Sequence, residues 1–153
     1  MANYFTNQVY AFGTDGALRA FLGDRVGPAG EVDDWAASCN LAQLGDDPDG
    51  TSYVEVIFSS TARELDGLVA GLSLRHPELV ITHAAVEPAN GVAYAQVWAA
   101  GTMAGEYVVP NEFITAAESE EEIFDDLLSS VQAYEKDAVA AMTSPQPSSA
   151  LKG

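Results

Sequence analysis

The stretch from Tyr53 to Tyr107 constrains this chain most, because it alternates, caps and turns in the order strand, helix, strand, strand, strand. Its first strand, Tyr53-Val-Glu-Val-Ile-Phe58, sets Val54, Val56 and Phe58 on one face and Tyr53, Glu55 and Ile57 on the other, as a two-residue side-chain period requires. Ser59-Ser60-Thr61 follows, with Glu64 three positions after Thr61. That is capping-box spacing, and it predicts a helix starting near Ala62 whose first amides are satisfied by the hydroxyl and the carboxylate. Leu65, Leu68, Val69 and Leu72 fall at i, i+3, i+4 and i+7 and form its apolar stripe. Burying each contributes about 1.5–3 kcal/mol, which outweighs the roughly 1 kcal/mol by which Gly67 and Gly71 each weaken the helix. Pro77 lies just past its end, where proline stops a helix without harming it.

The next strand, Leu79 to Glu87, is mostly apolar on both faces, which predicts a central position in the sheet. Pro88-Ala-Asn90-Gly91 suits a tight hairpin, since Asn-Gly accepts positive φ. The returning strand, Val92 to Ala99, puts Val92, Tyr94, Gln96 and Trp98 on one face and Ala93, Ala95, Val97 and Ala99 on the other. Ala100-Gly101 makes a second turn into a strand from Thr102 to Val109, and Pro110 closes the meander.

Upstream, Asn3 to Gly13 alternates loosely and is rich in aromatic residues, which predicts a first strand. Thr14-Asp15-Gly16 caps a short helix, Ala17 to Leu22, that ends at Gly23. A loop follows through Gly27-Pro-Ala-Gly30 and Glu31-Val-Asp-Asp34, then a short strand around Asn40 to Leu44 and a turn at Gly45-Asp-Asp-Pro-Asp-Gly50. Downstream, Asn111 to Ala117 reads as irregular. Ser119-Glu-Glu-Glu122 opens the longest helix, with Ile123, Phe124, Leu127, Leu128, Val131, Tyr134, Ala138 and Met142 as its buried stripe. The expected fold is α+β: a ferredoxin-like antiparallel sheet in the order β-α-β-β-α-β-β-β with helices on one face, plus a long C-terminal acidic amphipathic helix.

At 153 residues the chain fits one domain. Residues 1–142 are expected to form it, divided into a 1–110 core and a 118–142 helix, with a polar, proline-rich tail at 143–153 expected to be disordered. No apolar run is long enough to span a membrane, and Met1-Ala-Asn-Tyr-Phe-Thr lacks the basic and apolar regions of a secretory signal. The one cysteine, Cys39, allows no internal disulfide and reads as a small buried apolar residue, so a reducing cytoplasm is the expected compartment.

No catalytic or metal-binding pattern in the sequence is complete. His83 and Glu87 share a strand face and suggest an acid–base or metal pair, but a histidine between Ile81 and Ala85 is more often a satisfied core residue. His76 before Pro77 suits a helix C-terminus. Gly13-Thr-Asp-Gly16 lacks the lysine and glycine spacing of a phosphate loop. Asp46-Asp47-Pro-Asp49 opens like a calcium loop, but the glutamate that should complete it falls inside a strand as Glu55. The expectation is no enzyme activity, no metal and no cofactor.

Charge is the outlying property: 23 acidic residues against 6 basic ones give a formal net charge of −17. Such a field repels nucleic acid and anionic membranes and attracts basic proteins. The acids gather in two clusters, Glu31, Asp33, Asp34, Asp46, Asp47 and Asp49 in loops, and Glu118, Glu120, Glu121, Glu122, Asp125 and Asp126 at the last helix. On one side of the molecule they would imitate a phosphate track and occupy a nucleic-acid-binding groove. A solvated acidic face that secures solubility at high salt explains the same residues equally well.

Asn7-Gln-Val with Gly13, Phe58-Ser-Ser-Thr-Ala62, and Leu72-Ser-Leu-Arg-His-Pro77 followed by Glu87 resemble the YubB-like ferredoxin-domain proteins of phages and plasmids over residues 1 to 107. The pattern departs at Trp35-Ala-Ala-Ser-Cys39 and at Arg63-Glu64. The resemblance implies the fold and a mobile-element origin, and no activity. With the charge, it leads to the expectation of a non-enzymatic inhibitor of a host nucleic-acid-handling defence complex, a CRISPR effector or restriction enzyme, that binds this basic protein or ribonucleoprotein through the acidic residues. The alternative is a structural or assembly module, homodimeric through the sheet or through Tyr94 and Trp98, whose acidity serves only solubility or halotolerance.

Overall fold

The structure, a computed structural model, describes residues 5–22, 42–46, 52–60, 65–87 and 91–143. The elements in chain order are β1 (Phe5–Gly13), α1 (Asp15–Leu22), β2 (Ala42–Asp46), β3 (Ser52–Ser60), α2 (Leu65–Arg75), β4 (Val80–Glu87), β5 (Val92–Ala99), β6 (Thr102–Val108), α3 (Asn111–Ala116) and α4 (Glu120–Thr143). The strands form one sheet in the order β2-β3-β1-β4-β5-β6, and every neighbouring pair is antiparallel. The first four strands with α1 and α2 are the ferredoxin-like plan expected from the sequence. β5 and β6 widen the sheet beyond it.

Strand alternation decides what each face buries. On one face, Val9 and Ala11 of β1, Val54 and Val56 of β3 and Ile81 of β4 pack with Leu18 and Phe21 of α1, Val69 and Leu72 of α2, and Leu79. On the other, Val80, Ala84 and Val86 of β4 and Ala93, Ala95 and Val97 of β5 pack with Ile114 of α3 and Ile123, Phe124, Leu127 and Val131 of α4. The small side chains of β5 let α4 approach the sheet closely. All eight residues of β4 are buried, as its two-sided apolar pattern predicts. The sheet is therefore a middle layer, with α1 and α2 above and α3 and α4 below.

Among the described residues, helices cover only half of the second face. Six strands about 4.8 Å apart span roughly 24 Å, whereas one helix with its side chains is about 10–12 Å across. α4 lies along β4, β5 and β6. The lower faces of β1 and β3, carrying Thr6, Gln8, Tyr10, Phe12, Tyr53, Glu55 and Ile57, remain half-buried.

Local chemistry explains most boundaries. Thr14 accepts the Ala17 amide through Oγ1 at 3.3 Å and caps α1. Ser119 accepts the Glu122 amide at 3.3 Å, while the Glu122 carboxylate accepts the Glu118 amide at 2.8 Å, so the capping spacing read in the sequence starts α4 as expected. Ala100 and Gly101, with φ of 51° and 83°, make the turn between β5 and β6, and Gly91 at 64° ends the one before β5. Ser73 of α2 accepts the Gly101 amide at 2.8 Å and ties that turn to the upper helix layer.

Several sequence expectations are corrected. Asn111 to Ala117 is not irregular: α3 occupies most of it, entered through Pro110 and held by buried Ile114 and half-buried Phe113. Its stability comes from packing, which a six-residue window of weak helix formers does not advertise. β2 begins two residues later than expected and takes in Gly45 and Asp46, which pair with Tyr53 and Ser52 instead of turning. Ser59 and Ser60 extend β3, opposite Thr6 and Phe5. Residues 61–64, including the Thr61 cap, and the side chains of Leu65, Leu68 and Met142 lie outside the described residues. Tyr134 is 42% exposed and not part of the buried stripe; its ring lies over Gly105 of β6, a position where any Cβ would strike it. α4 runs through Thr143, and the segment expected to be a tail otherwise falls outside the described residues.

Two stability predictions follow from this packing. Leu127→Ala empties a fully buried site and should lower the unfolding free energy by about 2–5 kcal/mol, while Leu74→Ala, at a residue 64% exposed, should change it by less than about 0.5 kcal/mol. Thr82 Oγ1 is buried beneath α4 with no hydrogen-bond partner. Thr82→Val should therefore raise the urea midpoint, by about 1 kcal/mol in free energy.

Candidate protein-binding surface

α4 carries seven acidic residues and one basic one, Lys136, along its 24 residues. Five of them, Glu120, Glu121, Glu122, Asp125 and Asp126, fall within seven consecutive positions. At 1.5 Å rise per residue these span about 10 Å of axis, or one carboxylate per roughly 2 Å. Duplex nucleic acid carries one charge per about 1.7 Å of its axis, so the first two turns of α4 match that linear density. Glu118, Glu120, Glu121, Glu122 and Asp125 are exposed and Asp126 is half-buried. The positive end of the helix dipole lies under these acids, where negative charge is placed favourably.

The buried stripe explains why they face outward. Ile123, Phe124, Leu127 and Val131 must meet the sheet, so residues between them along the helix are turned to solvent. Glu122 is partly committed to capping through its bond to the Glu118 amide, whereas Glu120, Glu121 and Asp125 have no such local task among the described hydrogen bonds.

Asp46 does not join this group. It ends β2 opposite Ser52, which is itself opposite Gly13. α4 begins beyond the other end of the sheet, where β6 stops at Val108 opposite Tyr94 and Asn111 lies against Gly91. Asp33, Asp34, Asp47 and Asp49, with Glu31, lie outside the described residues. Six of the eleven carboxylates singled out in the sequence thus stand together at the start of one helix, and Asp46 stands at the opposite end of the sheet.

Basic groups are sparse. Among the described residues only Arg19, Arg75 and Lys136 carry a positive side chain, and Arg19 is held by Asp15 at 2.9 Å across one exposed helical turn. Such a pair contributes little to stability. Little positive charge is left to offset the field around α4.

The second arrangement considered, His83 with Glu87, lies on β4 under the upper helix layer. His83 is fully buried, and its Nε2 is 2.9 Å from Asn7 Oδ1. Asn7 donates Nδ2 to the Phe5 carbonyl at 3.3 Å, which turns its oxygen toward the ring and assigns the proton of His83 to Nε2. Nδ1 has no hydrogen-bond partner, and Tyr94 meets the ring edge-on at 5.8 Å. Burial holds the imidazole down at about 4, neutral at physiological pH. This is a core histidine in a local polar contact. Beside it, Gln96 donates to Glu106 at 3.0 Å and accepts from Trp98 Nε1 at 3.2 Å, so Trp98 is tied into the sheet surface. Among the described residues no group of three or more His, Cys, Asp or Glu is placed to hold a metal ion, and no helix is long and apolar enough to cross a membrane.

The sequence pattern does not point to one further surface. Beside α4 on the lower face lies an open cleft of about 430 Å³. Its floor is Tyr10 and Phe12 of β1 and Tyr53 of β3, which pairs with Phe12 across the strands. Its wall is Ser129, Gln132 and Glu135 of α4. The Phe12 and Tyr53 rings stand 6.2 Å apart and tilted by 36°. Tyr10 donates its phenol proton to Glu55 Oε2 at 2.6 Å, and burial, then this bond and the charge of Glu55, push the phenol well above its ordinary range. The available signal was the alternation of β3, which places Tyr53 and Glu55 on the face opposite Val54 and Val56.

The buried neutral imidazole sets a pH dependence. The unfolded chain binds a proton at His83 near pH 6.5 and the native state only near 4, so this contribution to stability is complete above 6.5 and is lost as pH falls toward 4. The loss between pH 7 and pH 4 should be about 3 kcal/mol. Urea melts of the native protein and His83→Gln should show that difference, the variant lacking it; urea is preferred because a salt denaturant would screen the acidic surface.

No protein-family model, curated protein or solved structure matches the chain.

Proposed function

We propose that this protein is a non-enzymatic acidic inhibitor of phage or mobile-element origin. It occupies the basic nucleic-acid-binding surface of a host defence complex, a restriction enzyme or CRISPR effector, through the first two turns of α4. The observation that supports this reading is charge density: five carboxylates in about 10 Å, mounted on a helix whose other side is fixed in the core. Lysines and arginines arranged for a phosphate backbone meet a comparable line of negative charge there. Rigid mounting adds affinity, since the carboxylates lose little freedom on docking.

The assembly-module reading has one observation in its favour. β6 is an edge strand with Met103 and Val108 exposed at 41% and 61%. In that reading the acids serve solubility alone and a second copy meets the β6 side of the sheet.

Cleavage by a panel of restriction enzymes and RNA-guided nucleases, measured at low and high salt, separates the two. At least one enzyme should be inhibited, more weakly as salt rises, and Glu120→Lys, Glu121→Lys and Asp125→Lys together should weaken inhibition by roughly tenfold or more. No inhibition at any salt, or inhibition untouched by the triple reversal, would remove the inhibitor reading. A dimeric mass by light scattering, unchanged in the triple variant, would favour assembly.

A further inference from the structure

All four large apolar side chains that are exposed among the described residues border one strand, β6. Met103 and Val108 stand on it opposite Trp98 and Tyr94, and so share their upper face. Leu74 of α2 lies over Gly101, the turn residue that leads into β6, and Tyr134 of α4 lies over Gly105 on its lower side. β6 is also the last strand of the sheet, and five of its seven residues are exposed. An edge strand offers a row of backbone amides and carbonyls to a further strand, and proteins guard against this with lysine, proline or other charge on the edge. β6 carries neither lysine nor proline, and its one charge, Glu106, accepts Gln96 Nε2 at 3.0 Å. The register shift beside Val97 and Trp98 disturbs only the Met103 end and leaves Gly105 to Val108 regular.

We propose that β6 pairs antiparallel with β6 of a second copy, joining the two sheets into one. Charge identifies the occupant. In a chain of net charge −17 this strip holds only Glu106, so a basic partner gains nothing by leaving the α4 ridge for it. A strand flanked by apolar side chains above and below instead matches itself, because a two-fold contact brings the same patch against its own copy. The two-fold axis stands perpendicular to the sheet at the middle of β6 and sets Val108 of one copy beside Thr102 of the other. The acidic starts of α4, beyond the Val108 ends, are thereby carried to opposite ends of the pair, roughly 24 Å or more apart. Exposed charges beyond about 8 Å are largely screened at physiological salt. The strip is about 24 Å long and, with the α4 layer, about 20 Å deep. Each copy therefore buries roughly 500 Å², the small end of specific interfaces, so the dimer is weak and depends on concentration. The pairing is independent of the task of the acids. Both α4 helices lie on one face of the joined sheet, so an inhibitor of this form presents two acidic starts at once.

Sedimentation velocity on the full chain, from about 5 to about 500 µM, tests this. The mass should rise from one copy toward two with concentration, and more steeply at high salt, because screening relieves the repulsion between two acidic chains. Binding of a basic partner has the opposite salt dependence. Val108→Lys and Met103→Lys each place a lysine on the edge and should weaken association by roughly tenfold or more. These residues are 61% and 41% exposed, so the fold should persist, and circular dichroism melts check it. Ala20→Lys adds the same charge at an exposed position of α1, which packs on β1 and β3, and should leave association unchanged. Hydrogen exchange should slow over Thr102 to Val108 as concentration rises and stay constant over Glu118 to Glu122. A chain that is monomeric at every concentration and salt, an association that weakens as salt rises, a dimer that survives both edge lysines, or β6 exchange that ignores concentration overturns the proposal. A dimer without nuclease inhibition removes the proposed function and leaves this inference standing. Inhibition by a chain that stays monomeric does the reverse.

Discussion

Every layer of this molecule depends on β4 being buried on both sides. A strand with no polar face cannot sit at an edge or on an open sheet, so it requires helices above and below it. Ile81 supplies the contact to the upper helices, and Val80, Ala84 and Val86 supply the contact to α4. α4 can carry a dense row of carboxylates on its outer side because its inner side is secured by four fully or nearly fully buried apolar residues. At roughly 1.5–3 kcal/mol for each buried side chain, that anchorage exceeds the mutual repulsion of solvent-screened charges at i, i+3 and i+4, which is a few tenths of a kcal/mol per pair.

Much of this was legible in the residues. The alternation from Leu79 to Ala99, broken by Asn90-Gly91, determines a hairpin almost residue for residue, since period-two patterning and positive-φ chemistry are both local. The start of α4 was legible for the same reason, Ser119 and Glu122 being a local exchange of hydrogen bonds. Features made by tertiary contact were not. α3 forms because Ile114 has somewhere to be buried, and β2 shifts because Gly45 and Asp46 find partners on β3. An apolar stripe also says that α4 packs without saying on which side of the sheet.

The candidate surfaces divide along the same line. The carboxylates of α4 could be read directly, because an acidic run beside an apolar stripe must face solvent. Which distant acids would join them could not, and Asp46 lies at the far end of the sheet. Among the described residues the aromatic cleft is a product of width, one helix lying where two would fit.

The seat of Tyr134 on Gly105 has a mechanical consequence. A smooth cylinder lying on a flat bed of alanines and valines could roll about its own axis with little penalty, whereas a bulky ring lodged over a bare backbone position fixes its angular setting. Torsional stiffness carries that setting along the rod to its far tip. One hydrogen-only side chain on an edge strand therefore helps to decide the direction in which charges some fourteen residues away are aimed.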